Sequence, residues 1–401
     1  MPRFSHRLHD YVHGINSLAA ALAAKQNLGE PILDLTVSNP TLAGFDYPET
    51  EIRAALGGRG GLEYHPSARG LPQAREAICG YYAERGERVS PDDLLLTSST
   101  SEAYSFLIKL LCDPGDSVCA PAPSYPLLEY LADLECCELT TYPLRRQGSQ
   151  DGGANTARWA VDFAALERAL TATTRAIILI NPNNPTGNLL TQDEVEQCMG
   201  LARDRGIAVI VDEVFADYCL GGAAYYPAHS DQALVFRLNG FSKVLALPQV
   251  KLGWIHVSGE PGLKARALDL LEIIADTFLS VNTPVQASCA ALLELRDGVQ
   301  KQIRARLHRN LLRITELTEG RDELTLLRPE AGWYAVIQLH TVEPEDTVVV
   351  TLLRDAGVYI HPGQFFGFEG GCHLVVSLLT PEQDFAEGCA RVVQYAAHRM
   401  L

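Results

Sequence analysis

The sequence is short of several things, and each shortage closes off a class of function. No stretch of its 401 residues reaches the roughly 18 apolar residues that a membrane-spanning helix needs. The opening residues include Arg3, His6, Arg7 and Asp10 with no apolar core, so no secretory signal is expected. Ten cysteines are scattered without a C-x-x-C pair or a histidine-rich neighbour. Neither a metal site nor a disulfide framework is indicated, and reduced thiols in a cytoplasmic protein fit best. The vicinal pair Cys136-Cys137 lies on an apolar segment and reads as core packing. Basic residues are outnumbered, 33 against 49 acidic, for a formal charge of −16 and a pI near 5.1. Nucleic acid would repel such a surface, although a local site for a small molecule can oppose the net charge. There is no internal repeat. The one low-complexity hint, Gly148 to Thr156, is expected to be an exposed loop.

What remains is ordinary globular chemistry, 47% hydrophobic and 20% charged. The chain is too long for one core of usual size, so two domains are expected. Several apolar runs read as buried strands that stop at polar groups. Arg175 to Ile180 runs into Asn181-Pro182-Asn183-Asn184-Pro185-Thr186-Gly187. Ile207 to Val211 ends on Asp212, within Val211-Asp212-Glu213-Val214-Phe215. Leu234 to Leu238 leads into Asn239-Gly240-Phe241-Ser242-Lys243, with a second cation at Lys251. Open α/β sheets bind ligands at the carboxyl ends of their strands. An amine, an amide, a carboxylate and a second cation therefore converge where a ligand is expected.

That set matches the needs of pyridoxal 5′-phosphate. Its aldehyde takes an amine, and lysine is the side chain that supplies one. Its ring nitrogen must stay protonated, which a buried carboxylate such as Asp212 favours. Its phenolic oxygen needs a donor, and the Asn184 amide can serve. Taken singly, each residue has a plainer reading as a surface lysine, a strand-end turn or a Pro-Gly turn. Their joint placement after apolar strands argues otherwise.

On these motifs the chain resembles the class I/II aminotransferases of the pyridoxal-phosphate fold type I, over nearly its whole length. The resemblance implies an α/β fold. A large domain with a mostly parallel sheet between helices would carry a smaller α+β domain built from both termini. It makes Lys243 the Schiff-base lysine, Asp212 the ring-nitrogen partner and Asn184 the donor to the ring hydroxyl. Lys251 stands where the family usually has a phosphate-binding arginine, as a point charge rather than a fork. Tyr125, in Ser124-Tyr125-Pro126, is the candidate ring to stack on the cofactor. Ser99, Thr100 and Ser101 open a helix after the strand Leu94 to Thr97, where first-turn amides suit a phosphate; Ser99 replaces a usual glycine and also reads as an N-cap. Ser242 neighbours the lysine. Tyr64 resembles the tyrosine that reaches the cofactor phosphate of a second subunit, which implies a homodimer with shared active sites. Ser38 and Asn39, where a glycine usually begins the carboxylate loop, are candidates to touch substrate.

Two departures from the family pattern stand out. Phe215 occupies a position that usually carries tyrosine, so one hydroxyl donor to the ring oxygen is lost; Tyr218 is a candidate substitute. Toward the C-terminus, the arginine that usually grips the substrate carboxylate is Val375, or Val376 with the alignment slipped by one. Either another cation moves in, with His361 and Arg69 as candidates, or the substrate carries no α-carboxylate, or the reaction is not transamination.

Residues 1–50 are expected to form an N-terminal arm and part of the small domain, 51–288 the large domain, and 289–401 a linking helix and the rest of the small domain. Leu292, Leu295, Val299, Ile303 and Leu307 recur at helical spacing across 289–315, and Gly332 to Ile337 reads as a strand. The function implied is transfer of an amino group from a small-molecule donor to a carbonyl acceptor. Lys243 would serve as proton carrier once released from the cofactor. A lyase, decarboxylase, cyclase or oxidative deaminase on the same fold is the alternative. A cofactor-binding regulator is disfavoured by the intact Lys243 and by the lack of a helix-turn-helix appendage.

Overall fold

Unbroken runs of Ile, Val and Leu build the centre of the molecule. The computed structural model describes residues 4–7, 16–148, 157–221 and 233–399. Its main sheet has eight strands. In spatial order they are Leu94–Thr97, Gly253–Ser258, Val235–Gly240, Ala208–Asp212, Thr174–Ile180, Ser117–Ala122, Glu138–Gln147 and Arg158–Val161. Only Gly253–Ser258 and the edge strand Arg158–Val161 run against the rest. The central strands are buried along their whole length, as a sheet covered on both faces requires. Their side chains alternate between two cores. Ile178, Ile180 and Ile210 meet the helices Thr100–Leu111 and Pro261–Phe278, whereas Ile177, Leu179, Val209 and Val211 meet Gln192–Arg205.

A second sheet of four antiparallel strands stacks Leu324–Leu327, Tyr334–Leu339, Cys372–Ser377 and His361–Pro362. The N-terminal part of the chain joins it. Leu33–Asp34 pairs with Val358–Tyr359, and the Ser377 amide donates to the Leu35 carbonyl at 2.7 Å. The fold is thus the expected α/β arrangement, with strand ends within about two residues of the sequence reading.

One element differs. The helix expected over 289–315 is two helices, Cys289–Glu294 and Arg296–Thr318. At the junction the Leu295 amide bonds back only three residues, to Leu292, and Arg296 takes the Leu293 carbonyl at 2.9 Å. This tightened turn redirects the chain without proline or glycine. Leu292, Val299, Ile303 and Leu307 still form the buried stripe. All ten cysteines are unpaired, with Cys137 in the core and Cys136 partly buried. Among the described residues no helix is long and apolar enough to cross a membrane, and no cluster suits a metal ion. Of the loop expected over Gly148 to Thr156, all but Gly148 lies outside the described residues, as do residues 1–3 and 8–15 of the N-terminal arm.

Under the central strands lies a fully buried ion pair. Arg237 is held by Glu213 at 2.5 and 3.0 Å and by Glu87 at 2.6 Å. Glu213 follows Asp212 directly, so this pair fixes the end of the strand that carries it. Removing Glu213 leaves the buried Arg237 with Glu87 alone, and breaking a buried pair costs about 3–5 kcal/mol. Urea unfolding of Glu213→Ala is expected to show a loss of that order; a loss of less than about 1 kcal/mol would mean the pair contributes no more than a surface contact.

Candidate active site

Lys243 sits in a four-residue helical turn, Phe241–Val244, directly after a central strand. Three side chains clamp that turn and the residues just after it by their carbonyls. Tyr218 donates to the Lys243 oxygen at 2.7 Å, Gln300 to Val244 at 2.8 Å and Tyr47 to Ala246 at 2.8 Å. The Lys243 amine makes no hydrogen bond among the described residues. Instead it lies 4.8 Å from the centre of the Trp333 ring and 5.5 Å from that of Phe215. Burial among these rings pushes its pKa down to about 8, and the nearby Asp212 charge opposes the shift.

Asp212 closes the adjacent parallel strand and is 6% exposed. Its carboxylate accepts from the Val214 amide and the Tyr104 hydroxyl, each at 3.1 Å. Burial pushes its pKa up to about 6 despite these two donors. Among the described residues no cation bonds the carboxylate directly, and the Lys243 charge acts on it only through space.

The Asn184 carboxamide is buried, makes no hydrogen bond among the described residues and leaves its Oδ1 unpartnered. The loop that carries it is stitched to the second sheet. The Gly187 carbonyl accepts from Glu330 and Ala331 at 3.0 and 2.8 Å. Gly187 needs its freedom, since φ is +66° and a Cβ there would stand 2.4 Å from the Ala331 oxygen. The Gly332 amide reaches the Tyr218 carbonyl at 2.9 Å. Trp333 is thereby fixed over Lys243, edge-on to Phe215 and Tyr218 at 5.4 and 5.0 Å.

Ser99 caps the helix Thr100–Leu111 by accepting from the Glu102 amide at 3.1 Å. The amides of Thr100 and Ser101 are left without helical partners, as any first turn leaves them. Gly253 presses against this turn; a Cβ there would meet the Ser99 carbonyl carbon at 3.0 Å and the Thr100 nitrogen at 3.2 Å. Lys251, two residues earlier, is exposed, holds a left-handed φ of +58° and forms no ion pair among the described residues. Ser242 is half-buried beside Lys243. Tyr125 is half-buried, and burial, with the Asp212 charge second, pushes its hydroxyl pKa up to about 12.

Other expected residues stand differently. Ser38 is exposed and hydrogen-bonded to Tyr334, which packs on Phe215. Asn39 is exposed and caps a 3₁₀ turn through Thr41. Tyr64 is 70% exposed and lines a shallow depression with Pro66, Leu279 and Gln286, none of which belongs to the Lys243 cluster. Tyr218 is no substitute for the hydroxyl that Phe215 lacks, because its own hydroxyl is taken by the Lys243 carbonyl. Arg69 is bound to Glu272 and Asp269 at 2.7 and 3.3 Å, so it is no replacement cation. His361 lies directly opposite Val375, but burial lowers its pKa, so it is neutral at neutral pH. Of the two valines, Val376 faces the core of the second sheet and Val375 an apolar cluster with Phe366 and Tyr334. The sequence does not single out Tyr104, and it marks Trp333 only as part of the strand expected over Gly332 to Ile337.

A lysine amine against aromatic rings, a buried carboxylate beside it, a buried amide with no hydrogen bond among the described residues and an open helix N-terminus suit pyridoxal 5′-phosphate. Comparison with known proteins agrees. The family described as Aminotransferase class I and II matches residues 30–392. A glutamate-pyruvate aminotransferase of Haemophilus influenzae is 24% identical over 376 residues, 92% of this chain and 91% of that protein. An alanine aminotransferase of Mycobacterium tuberculosis is 24% identical over 97% of this chain and 91% of its own. Among solved structures, an alanine aminotransferase from Pyrococcus furiosus superposes with a TM-score of 0.89 at 24% identity, covering 99% of this chain and 100% of that one.

The raised Asp212 pKa gives a signed prediction. A carboxyl whose folded pKa exceeds its unfolded value stabilises the fold below the unfolded value, and that contribution fades as pH rises toward about 6. Asp212→Asn should therefore stabilise the cofactor-free protein at pH 7.5, by about 1–3 kcal/mol in urea unfolding, while weakening its hold on pyridoxal phosphate. Equal stability of the two cofactor-free proteins would show that burial is not straining this group.

Proposed function

The chain belongs to the class I and II aminotransferase family, and from that premise we propose which of its residues run the pyridoxal-phosphate-dependent transfer of an amino group. The observation that carries this reading is the Lys243 amine, without a hydrogen bond among the described residues, held against aromatic rings beside the buried Asp212 carboxylate. When bound, pyridoxal 5′-phosphate supplies an aldehyde for an amine and a ring that withdraws electrons from the carbon beside it.

Lys243 anchors the cofactor and, when free, carries the proton of the donor's reacting carbon. An amine with a pKa near 8 suits this role, since near neutral pH both its forms are populated. Asp212 holds the ring nitrogen's proton by its charge, and Tyr104 and Val214 hold Asp212 in place. Asn184 turns its amide toward the ring oxygen, with no second donor from Phe215. Tyr125 covers the ring. Ser99, Thr100, Ser101, Ser242 and Lys251 take the phosphate, with Lys251 giving charge and the first-turn amides direction. Ser38, tied to Tyr334, and Asn39 border the substrate.

Tyr64 completes the site of a second subunit in a homodimer. Its exposure, with that of Leu62, Ile273, Phe278 and Leu279, supplies an apolar surface such an interface would cover. Ten unpaired cysteines suit a cytoplasmic setting. The names of the relatives make alanine, glutamate and pyruvate the first donors and acceptor to try.

A single-turnover experiment tests the reaction. One amino donor mixed with the loaded protein should yield one equivalent of carbonyl product and the aminated cofactor, and added carbonyl acceptor should restore the starting spectrum. Release of ammonia or carbon dioxide, with the cofactor unchanged, would point to a deaminase, lyase or decarboxylase.

Lys243→Ala should abolish turnover and the covalent absorbance of the bound cofactor. In the native apoprotein, cofactor capture should quicken about tenfold per pH unit below about 8 and level off above, since only the neutral amine attacks. A flat profile between pH 6 and 9 would show that Lys243 is not the titrating group.

A further inference from the structure

We propose that Arg146, His373 and the indole N–H of Trp159 form an acid-binding subsite for a donor whose carboxylate and amine lie several bonds apart. This deepens the aminotransferase reading and rests on it.

The argument starts from alternation along Cys372–Ser377. Cys372, Leu374 and Val376 enter the core of the second sheet. Val375 faces the other way, into an apolar cluster of Leu327, Val336 and Phe366, with Tyr334 packed against it. Among the described residues this cluster offers an acid no charged group, since the His361 opposite Val375 has its pKa lowered by burial. His373 is on the same face as Val375, about 7 Å along the strand, and it lines a cavity of about 620 Å³ between the two sheets. That volume suits a small-molecule site.

The opposite wall comes from the edge of the main sheet. Arg146 and Trp159 are direct cross-strand partners, so their side chains share a face. The Trp159 ring meets Phe368 at 6.0 Å, and Phe368 stacks on His373 at 4.5 Å. Trp159 Nε1 and His373 Nδ1, both buried in this lining, have no hydrogen-bond partner among the described residues, and His373 is only 7% exposed. Such atoms are uncommon in folded proteins. Burial and the Arg146 charge push the His373 pKa down to about 4, so its ring is neutral and offers one N–H. Arg146 donates to the Ala157 carbonyl at 3.4 Å and brings the positive charge. Gln338, opposite His373 in register, adds an amide. The acidic residue in the lining, Glu369, is exposed.

The cavity adjoins the candidate active site. Leu327 belongs both to its lining and to the cluster around Val375 and Phe366. Pro123, also in the lining, leads into Ser124 and Tyr125, and the Ser124 amide donates to the Phe366 carbonyl at 2.8 Å. An acid on the amine-bearing carbon would meet valine, whereas one several bonds away reaches a cation and two N–H donors.

The test compares alanine, glutamate, 4-aminobutanoate, 5-aminopentanoate and the acid-free butylamine as donors to the cofactor-loaded protein. The two ω-amino acids should give the lowest KM. Arg146→Gln should raise their KM about tenfold or more with kcat within about twofold, and leave butylamine unchanged. Trp159→Phe, which keeps the ring and loses the N–H, should raise KM less. Calorimetry of pentanoate on Lys243→Ala protein should show binding that Arg146→Gln removes. Preference for alanine or glutamate, insensitive to Arg146→Gln, would overturn the proposal, as would pentanoate binding that ignores the substitution. If no amine reacts at all, the aminotransferase reading fails, and the pentanoate measurement still judges the subsite by itself.

Discussion

Asp212 loses nearly all its water at the end of a central strand, and the fold gives back only two hydrogen bonds. Next to it, in the turn after the neighbouring strand, the Lys243 amine has given up most of its water for aromatic faces, with the Asp212 charge as partial compensation. Burial works against the charged form of each, raising one pKa to about 6 and lowering the other to about 8. A polypeptide keeps two such groups apart from solvent only if the surrounding structure cannot relax. The packing around them meets that condition. Alternating residues of the central strands bury both faces of the sheet, the Arg237–Glu213 pair pins the residue after Asp212, and three side chains hold the turn that carries Lys243.

The second sheet is part of this restraint as well as a neighbour. Residues 330–332 reach back to Gly187, Tyr218 and Leu220, so the next residue, Trp333, is delivered onto Lys243 by the same hydrogen bonds that shape the Asn184 loop. The N-terminal segment follows suit, with Ser377 donating to Leu35 and Val37 carbonyls and Ser38 resting on Tyr334. The cluster that lowers the Lys243 pKa is therefore assembled from three distant parts of the chain. Its chemistry depends on how the two sheets sit together.

Much of this was legible in the sequence, for a physical reason. Strands buried on both faces must be continuous apolar runs, and ligands gather where those runs end. The placement of Asp212, Asn184 and Lys243 just after buried strands could thus be read from the apolar runs, and the Ser99 cap from its place before a helix. What could not be read was assembled by tertiary contact. Tyr104 reaches Asp212 from within a helix whose apolar spacing makes it look like core. Tyr218 reads as a spare hydroxyl until its bond to the Lys243 carbonyl is seen. Arg69 reads as a free cation until Glu272 and Asp269 face it. The break at Leu295 carries no proline or glycine, because it is set by a shortened hydrogen bond and by Arg296 capping the preceding turn. Arg146, Trp159 and His373 come from two sheets, and no spacing in the chain links them.

The central claim is that one particular amine, buried beside Asp212, bonds to the cofactor. Borohydride reduction of the cofactor-loaded protein, followed by peptide mapping, tests it directly. The account predicts a single labelled peptide, with the cofactor mass on Lys243. Label on Lys251 or on another lysine, or loaded protein that yields no label, would contradict it.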